Sequence, residues 1–215
     1  IKNYRDVASA NWAVVPQYIG RFENDFLLCD IGSTTTDLTP VRGGKISNLG
    51  LTDFERMRHG ELLYTGYLRT PLQSVLQNAK IRGRSAPLSA EFFSQIGDAH
   101  LLLRNISKKN YNSPTPDNGP KTSAGALRRL ARSLLADEGE LSKAELLSFA
   151  KQAVEAQREK TVLSAHKFGL PIIPIGTGSF ILDSAIKKGK LRLHDSAWKY
   201  KSLDPSLALA LLLRR

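Results

Sequence analysis

The sequence predicts an α/β fold in which a three-stranded antiparallel meander leads a mixed sheet flanked by helices. Three observations predict it. The continuous apolar run Phe26-Leu27-Leu28-Cys29 has the length of a buried strand. β-branched residues from Thr35 to Val41, the hairpin turn Arg42-Gly43-Gly44-Lys45 and the stretch from Ile46 to Leu49 set up two antiparallel partners for it. Much later, two amphipathic helical stretches lead into a second short buried strand, Ile172-Ile173-Pro174-Ile175.

The remaining elements follow in order. Val7, Ala8, Ala10, Trp12, Ala13 and Val14 give residues 4–18 the small-residue pattern of a helix packed on a sheet, ended or kinked by Pro16. A new element begins at Gly60 and leads to Arg69-Thr70-Pro71. Residues 72–88, with Gly83 and Pro87, read as a strand or loop excursion. Residues 89–104 read as a helix with Ser89 at its N-cap. Asn, Pro, Ser and Gly dominate residues 107–120, which are expected to be a long loop. Helices are predicted from Thr122 to Ala136, and from the capping box Ser142-Lys143-Ala144-Glu145 to His166. Gly176-Thr177-Gly178-Ser179 opens a helix over Phe180 to Lys187, and Leu191–Leu193 suggests an edge strand. Asp204-Pro205 starts a closing helix whose Leu207–Leu213 segment reads as buried.

Bulk properties bound the function. A 215-residue chain with 41% hydrophobic and 24% charged residues can bury a sizeable core. The formal charge of +11 raises the question of nucleic acid. Its basic residues, such as Arg128, Arg129 and Arg132, read instead as solvated helix faces, and no recognition motif or interleaved aromatic accompanies them. Nucleic acid is therefore not an expected partner. The lone Cys29 excludes an internal disulfide and a cysteine-based zinc cluster, and its apolar setting makes it a buried thiol. His59, His100, His166 and His194 lack ligand spacing. No apolar run reaches the roughly 20 residues of a membrane span, and no signal peptide is recognisable, so a cytoplasmic enzyme is expected.

The chemistry concentrates at Asp30-Ile31-Gly32-Ser33-Thr34-Thr35-Thr36-Asp37. Gly32 lets the backbone approach an oxyanion, and the amides and hydroxyls of Ser33, Thr34 and Thr35 can donate to phosphate oxygens. Asp30 can hold a magnesium ion that offsets phosphate charge. In a tight turn, Asp37 comes to lie on the adjacent strand near the same site. Gly176, Thr177 and Gly178 form a weaker strand-to-helix phosphate element. Glu61, Tyr64 and Arg69 place a carboxylate, a phenol and a guanidinium in one short run, suited to substrate binding or leaving-group stabilisation. Capping by Glu61 and an ion pair between it and Arg69 are the structural alternatives.

The turn from Asp30 to Asp37 resembles that of the actin and sugar-kinase superfamily. Together with Ala8-Ser9-Ala10-Asn11-Trp12, Gly60-Glu61-Leu62-Leu63-Tyr64-Thr65-Gly66 and Arg69-Thr70-Pro71, it resembles the hydantoinase A/oxoprolinase-like proteins of the tetrahydromethanopterin-linked C1 transfer pathway. Asp117-Asn118-Gly119-Pro120-Lys121 and Arg128-Arg129-Leu130-Ala131-Arg132 extend the likeness. The resemblance implies an actin/ribonuclease-H-like fold. Residues 1–215 would form the C-terminal half of an actin-like, ATPase-type domain, with 60–140 as an inserted substrate-binding, helical region. Superfamily members carry an earlier Asp–x–Gly turn that this sequence, opening at Ile1, lacks. A fragment, or a separately encoded N-terminal portion, is the expectation.

For function, the resemblance implies a transferase of methanofuran biosynthesis. It would join an aminomethylfuran-methyl diphosphate to a γ-glutamyltyramine- or tyrosine-type phenol, with release of diphosphate. Magnesium at Asp30 would bridge the leaving group, Arg69 or Lys121 would supply a cation, Tyr64 and Lys121 would contact substrate, and Glu61 would be the base. Alternatives are an ATP-dependent kinase or amidohydrolase of the same superfamily, with ATP less favoured, and a non-catalytic basic binding protein. A homo-oligomer is compatible with each.

Overall fold

The computed structural model describes residues 11–213; the motif positions Ala8 to Ala10 and the start of the first predicted helix lie outside them. Helix α1 (Asn11–Ile19) precedes β1 (Phe26–Ile31), β2 (Thr36–Arg42) and β3 (Lys45–Ile46). Then come α2 (Asp53–His59), β4 (Leu62–Leu63), α3 (Leu72–Val75), β5 (Asn78–Ile81) and β6 (Arg84–Pro87). Helices α4 (Ile96–Leu102), α5 (Ser123–Ser133) and α6 (Lys143–His166) lead to β7 (Ile172–Ile175), α7 (Asp183–Lys187) and α8 (Pro205–Leu213). Contacts divide the chain into two compact units, Ile1–Tyr64 with Thr161–Arg215, and Thr65–Lys160.

The first unit contains the mixed sheet, in the order β3-β2-β1-β7, with β4 also pairing with β2. The meander β1-β2-β3 is antiparallel, and β7 runs parallel to β1; the third strand stops at Ile46 instead of running on to Leu49 as expected. Gly43 and Gly44 both take positive φ, 56° and 72°, as a tight two-residue hairpin turn demands. Strand alternation puts Phe26, Leu28 and Asp30 of β1 on one face. Phe26 and Leu28 join Val15, Ile19, Val41, Ile173, Ile175 and Ala208 in one apolar core. The stripe therefore turns from apolar to acidic as β1 reaches its C-terminal end.

The second unit is mainly helical, with the β5-β6 hairpin as its own small sheet. Its centre is a polar network. Arg129, 1% exposed, donates to Asp98 Oδ1 from Nε at 3.0 Å and from a terminal nitrogen at 2.7 Å. Its other terminal nitrogen reaches Asp117 at 3.1 Å. The Tyr111 hydroxyl also donates to Asp98, at 3.0 Å, and accepts from Gln95 at 2.7 Å.

Several expectations are corrected. Residues 89–104 are not one helix: Ser89 accepts from the amide of Glu91 in a local turn, and α4 starts at Ile96 behind a Gln95–Asp98 capping box. The strand excursion expected over residues 72–88 is present as the β5-β6 hairpin, and an unexpected one-turn helix at Leu72–Val75 precedes it. Leu191–Leu193 contributes one bridge, Ile172↔Leu193, rather than a strand. Pro16 lies inside α1, which continues to Ile19. A 3-10 turn over Ser179–Leu182 precedes α7. In α8 only Ala208 is buried, while Leu207, Leu209 and Leu213 are 46%, 48% and 75% exposed. Arg129 is a core residue, not a solvated one. Among the described residues, no helix is long and apolar enough to cross a membrane.

Candidate functional site

The β1–β2 register places Asp30 directly opposite Asp37. Directly opposed side chains share a face with Cβ atoms about 5 Å apart, so two carboxylates meet where the sheet ends. The turn between them is closed by the Gly32 amide donating to the Thr35 carbonyl at 2.9 Å. Ser33 and Thr34 sit half-buried at its tip.

The other glycine segment comes to the same place. Parallel pairing of β1 with β7 brings both C-terminal ends to one edge, where open α/β sheets bind ligands. The Gly178 amide donates to the Ile31 carbonyl at 2.8 Å. Gly176 has φ +79°, and a Cβ there would lie 2.4 Å from Asp30 Oδ1 and 2.6 Å from the Ile31 carbonyl oxygen. Only glycine allows this backbone to rest against the Asp30 carboxylate.

The two carboxylates are compensated unequally. Asp37 accepts from Arg56 at 2.8 Å, and that guanidinium is 1% exposed and stacked 4.2 Å from the Trp12 ring centroid. Burial still holds the Asp37 carboxyl above its ordinary value, against the pull of Arg56. Asp30 accepts no hydrogen bond and forms no ion pair among the described residues. Burial, with the charge of Asp37 added, pushes its carboxyl up to about 6. Burial likewise pushes the Cys29 thiol far above its ordinary range, leaving it inert at neutral pH.

Arg56 is the residue that reading the sequence missed. It belongs to α2, announced by the capping box Thr52-Asp53-Phe54-Glu55: Thr52 Oγ1 accepts from the Glu55 amide, and the Glu55 carboxylate from the Thr52 amide. That signal was present in the text, and it leads to the site's buried cation four residues past the cap.

Glu61 is 1% exposed, and its carboxylate accepts from Asn48 Nδ2 at 3.2 Å and from the amides of Leu49 and Gly50 at 2.6 and 3.0 Å. It braces a loop. Its carbonyl accepts from Arg56 as well. Tyr64 is 66% exposed. In the second unit, Arg69 is the exposed residue of a loop, 65–70, whose other members are buried. Thr70 Oγ1 accepts from the Gly66 amide at 2.9 Å, and Gln157 donates to Thr65 Oγ1 and the Gly66 carbonyl. Lys121 lies over the Tyr111 ring at 5.9 Å.

Among the described residues no group of three or more His, Cys, Asp or Glu could cage a metal ion. A hard cation here would rely on Asp30 and on oxygens brought by a ligand or water, the usual arrangement for magnesium beside phosphates. The Asp30 carboxylate, without a partner among the described residues, fits that role.

Fold and site define a mixed-sheet α/β protein with opposed carboxylates and two glycine turns at the C-terminal edge of parallel strands. The chain belongs to the hydantoinase/oxoprolinase family, whose model matches residues 1–165. A protein of Methanocaldococcus jannaschii is 33% identical over 222 residues, covering 100% of this chain and 67% of its own. A protein of Methanococcus vannielii is 33% identical over 171 residues, covering 77% of each. Both are named (4-{4-[2-(γ-L-glutamylamino)ethyl]phenoxymethyl}furan-2-yl)methanamine synthase.

Proposed function

We propose that this chain is the transferase, or the phosphate-binding part of it, that makes a furanylmethyl aryl ether in methanofuran-type cofactor synthesis. The names of the two relatives support the product class. The observation that carries the reading is the Asp30 carboxylate, unpartnered among the described residues and set between the Gly32–Thr35 turn and Gly176. The sheet order β3-β2-β1-β7, antiparallel then parallel, fits an actin/ribonuclease-H-like fold, in which residues 60–140 form the inserted substrate region.

In this reaction the phenol oxygen of a γ-glutamyltyramine-type acceptor bonds to the furanylmethyl carbon. The bond from that carbon to the diphosphate oxygen breaks, diphosphate leaves with the electron pair, and the phenolic proton passes to a base or water. The turn amides and the hydroxyls of Ser33, Thr34, Thr35 and Thr177 hold the diphosphate through hydrogen bonds that strengthen as its charge grows. A magnesium ion at Asp30, when bound, neutralises that charge. Gly176 keeps the Asp30 carboxylate accessible, and Arg56 holds Asp37 and keeps the site from becoming doubly acidic. Arg69, presented on its braced loop, supplies a cation to a substrate anion.

The test is diphosphate release by the full-length protein from an aminomethylfuran-methyl diphosphate and γ-glutamyltyramine, with magnesium. Release is expected, and it disappears in Asp30→Ala. No release by the intact protein sinks the reading, and formation of ADP or phosphate from ATP instead assigns the site to a kinase or hydrolase.

A further inference from the structure

The second unit contains a cavity of about 950 Å³, walled by the 91–93 segment, the 116–122 loop, α5 and the turn into α6. Its size falls in the range of sites that bury a drug-sized ligand. It is held open by fixed structure. The Ser94 and Ser133 hydroxyls are bonded at 2.6 Å, and the Ser89 amide donates to the Ser133 carbonyl at 2.8 Å, tying one wall to α5. Arg129, anchored on Asp98 and Asp117, fixes the 116–122 loop. The capping box between Ser142 and Glu145 sets the opposite wall.

The lining has two characters. Phe92, 47% exposed, and Phe93 offer aromatic faces, and aliphatic residues such as Leu127 share the lining. Arg128 and Arg132, one turn apart on α5, supply two guanidiniums. Arg132 lies 5.3 Å from the Phe93 ring centroid, so its fork is oriented by a cation–π contact. Its sole acidic neighbour within 4.0 Å is Asp137 among the described residues, and both are mainly exposed, a pairing of little energetic weight. Arg128 has no ion-pair partner among the described residues. Glu91 adds a negative charge to the same lining.

We propose that this cavity binds an aromatic ring bearing a zwitterionic amino-acid tail, with the ring on Phe92 and Phe93, the carboxylate on Arg132 and Arg128, and the ammonium on Glu91. Resting on the ether-synthase reading, the ligand class is that of a γ-glutamyl phenol. Specificity for the tail comes from the guanidinium pair, because a ligand without the carboxylate leaves those donors to water.

Calorimetric titration of the full-length protein with γ-glutamyltyramine, in the absence of diphosphate substrate, tests this. Arg132→Gln is expected to weaken binding about 10- to 100-fold, the effect of losing a charge-assisted hydrogen-bond pair, while leaving the weaker binding of tyramine unchanged. Phe93→Leu, which keeps an apolar side chain, weakens both ligands. Undiminished γ-glutamyltyramine binding in both variants overturns the proposal, as does ATP displacing the phenol from the wild-type protein but not from Phe93→Leu. Variant-sensitive binding without any diphosphate release leaves the aromatic-zwitterion site standing and removes the transferase reading, whereas release with variant-insensitive binding does the reverse.

Discussion

Asp30 in the first unit and Asp98 in the second are both carboxylates taken largely out of water, yet their surroundings are opposite. Asp98 accepts from Arg129, from the Tyr111 hydroxyl and, through its other oxygen, from the Gln95 amide. Asp30 faces another carboxylate, and the nearby guanidinium is committed to Asp37. A buried charge with every lone pair answered is a structural joint. One held beside a like charge, with no donor among the described residues, is a standing electrostatic cost, which on the proposed reading a bound ligand would relieve.

The comparison can be broken at either carboxylate. The largest effect is expected from Arg129→Met, which strands Asp98: about 3 to 5 kcal/mol of stability is lost, read as a lower urea midpoint. A change below about 1 kcal/mol would mean that Asp98 is not held by that pair. Next, Asp30→Asn should lower diphosphate release by about 10²- to 10³-fold, the scale of one preorganised electrostatic contact to a developing charge.

A pH series sharpens the contrast further. Burial pushes the His100 imidazole down to about 4, from 6.5. The unfolded chain therefore binds more protons between those values, and His100 contributes stability that is full above pH 6.5 and lost as pH falls towards 4. The loss is about 3 kcal/mol, and replacing His100 with Gln should flatten the slope of urea midpoint against pH in that window.

The smallest effect has the opposite sign. The folded-state pKa of Asp30 is raised from 3.8 to about 6, so stability falls as pH rises through that interval. At pH 7, Asp30→Asn should therefore stabilise the protein by about 1 to 2 kcal/mol, allowing for partial solvent screening. A lower melting temperature in that variant would make Asp30 a structural residue like Asp98.

Signals carried by adjacent residues were legible. The meander, the Gly43-Gly44 turn, the opposition of Asp30 and Asp37, the Ser142–Glu145 box and the Asp204 cap all follow from local spacing. What was not legible depends on distant partners. Arg129 reads as a solvated basic residue because its acceptor, Asp98, lies 31 positions upstream. Helix α4 is buried on every side, so it shows no amphipathic period. Helix α2 is seven residues long and buries only Arg56, so it has no apolar stripe to betray it. The α5–α6 cavity gives no sequence signal, since its walls come from four separate stretches.

The loop carrying Arg69 has a kinetic implication. Tyr67 and Leu68 are 4% and 0% exposed, the Ile96 amide donates to the Thr70 carbonyl at 2.8 Å, and Gly97 is packed so closely on Leu68 that an added Cβ would lie 2.5 Å from it. Behind them, Gln157 links the Thr65 hydroxyl to His100. A segment so fastened has no ordering step left to perform when an anion arrives. On the role proposed for Arg69, capture would be a single encounter whose observed rate rises linearly with ligand concentration, with its entropic cost confined to one side chain's rotamers.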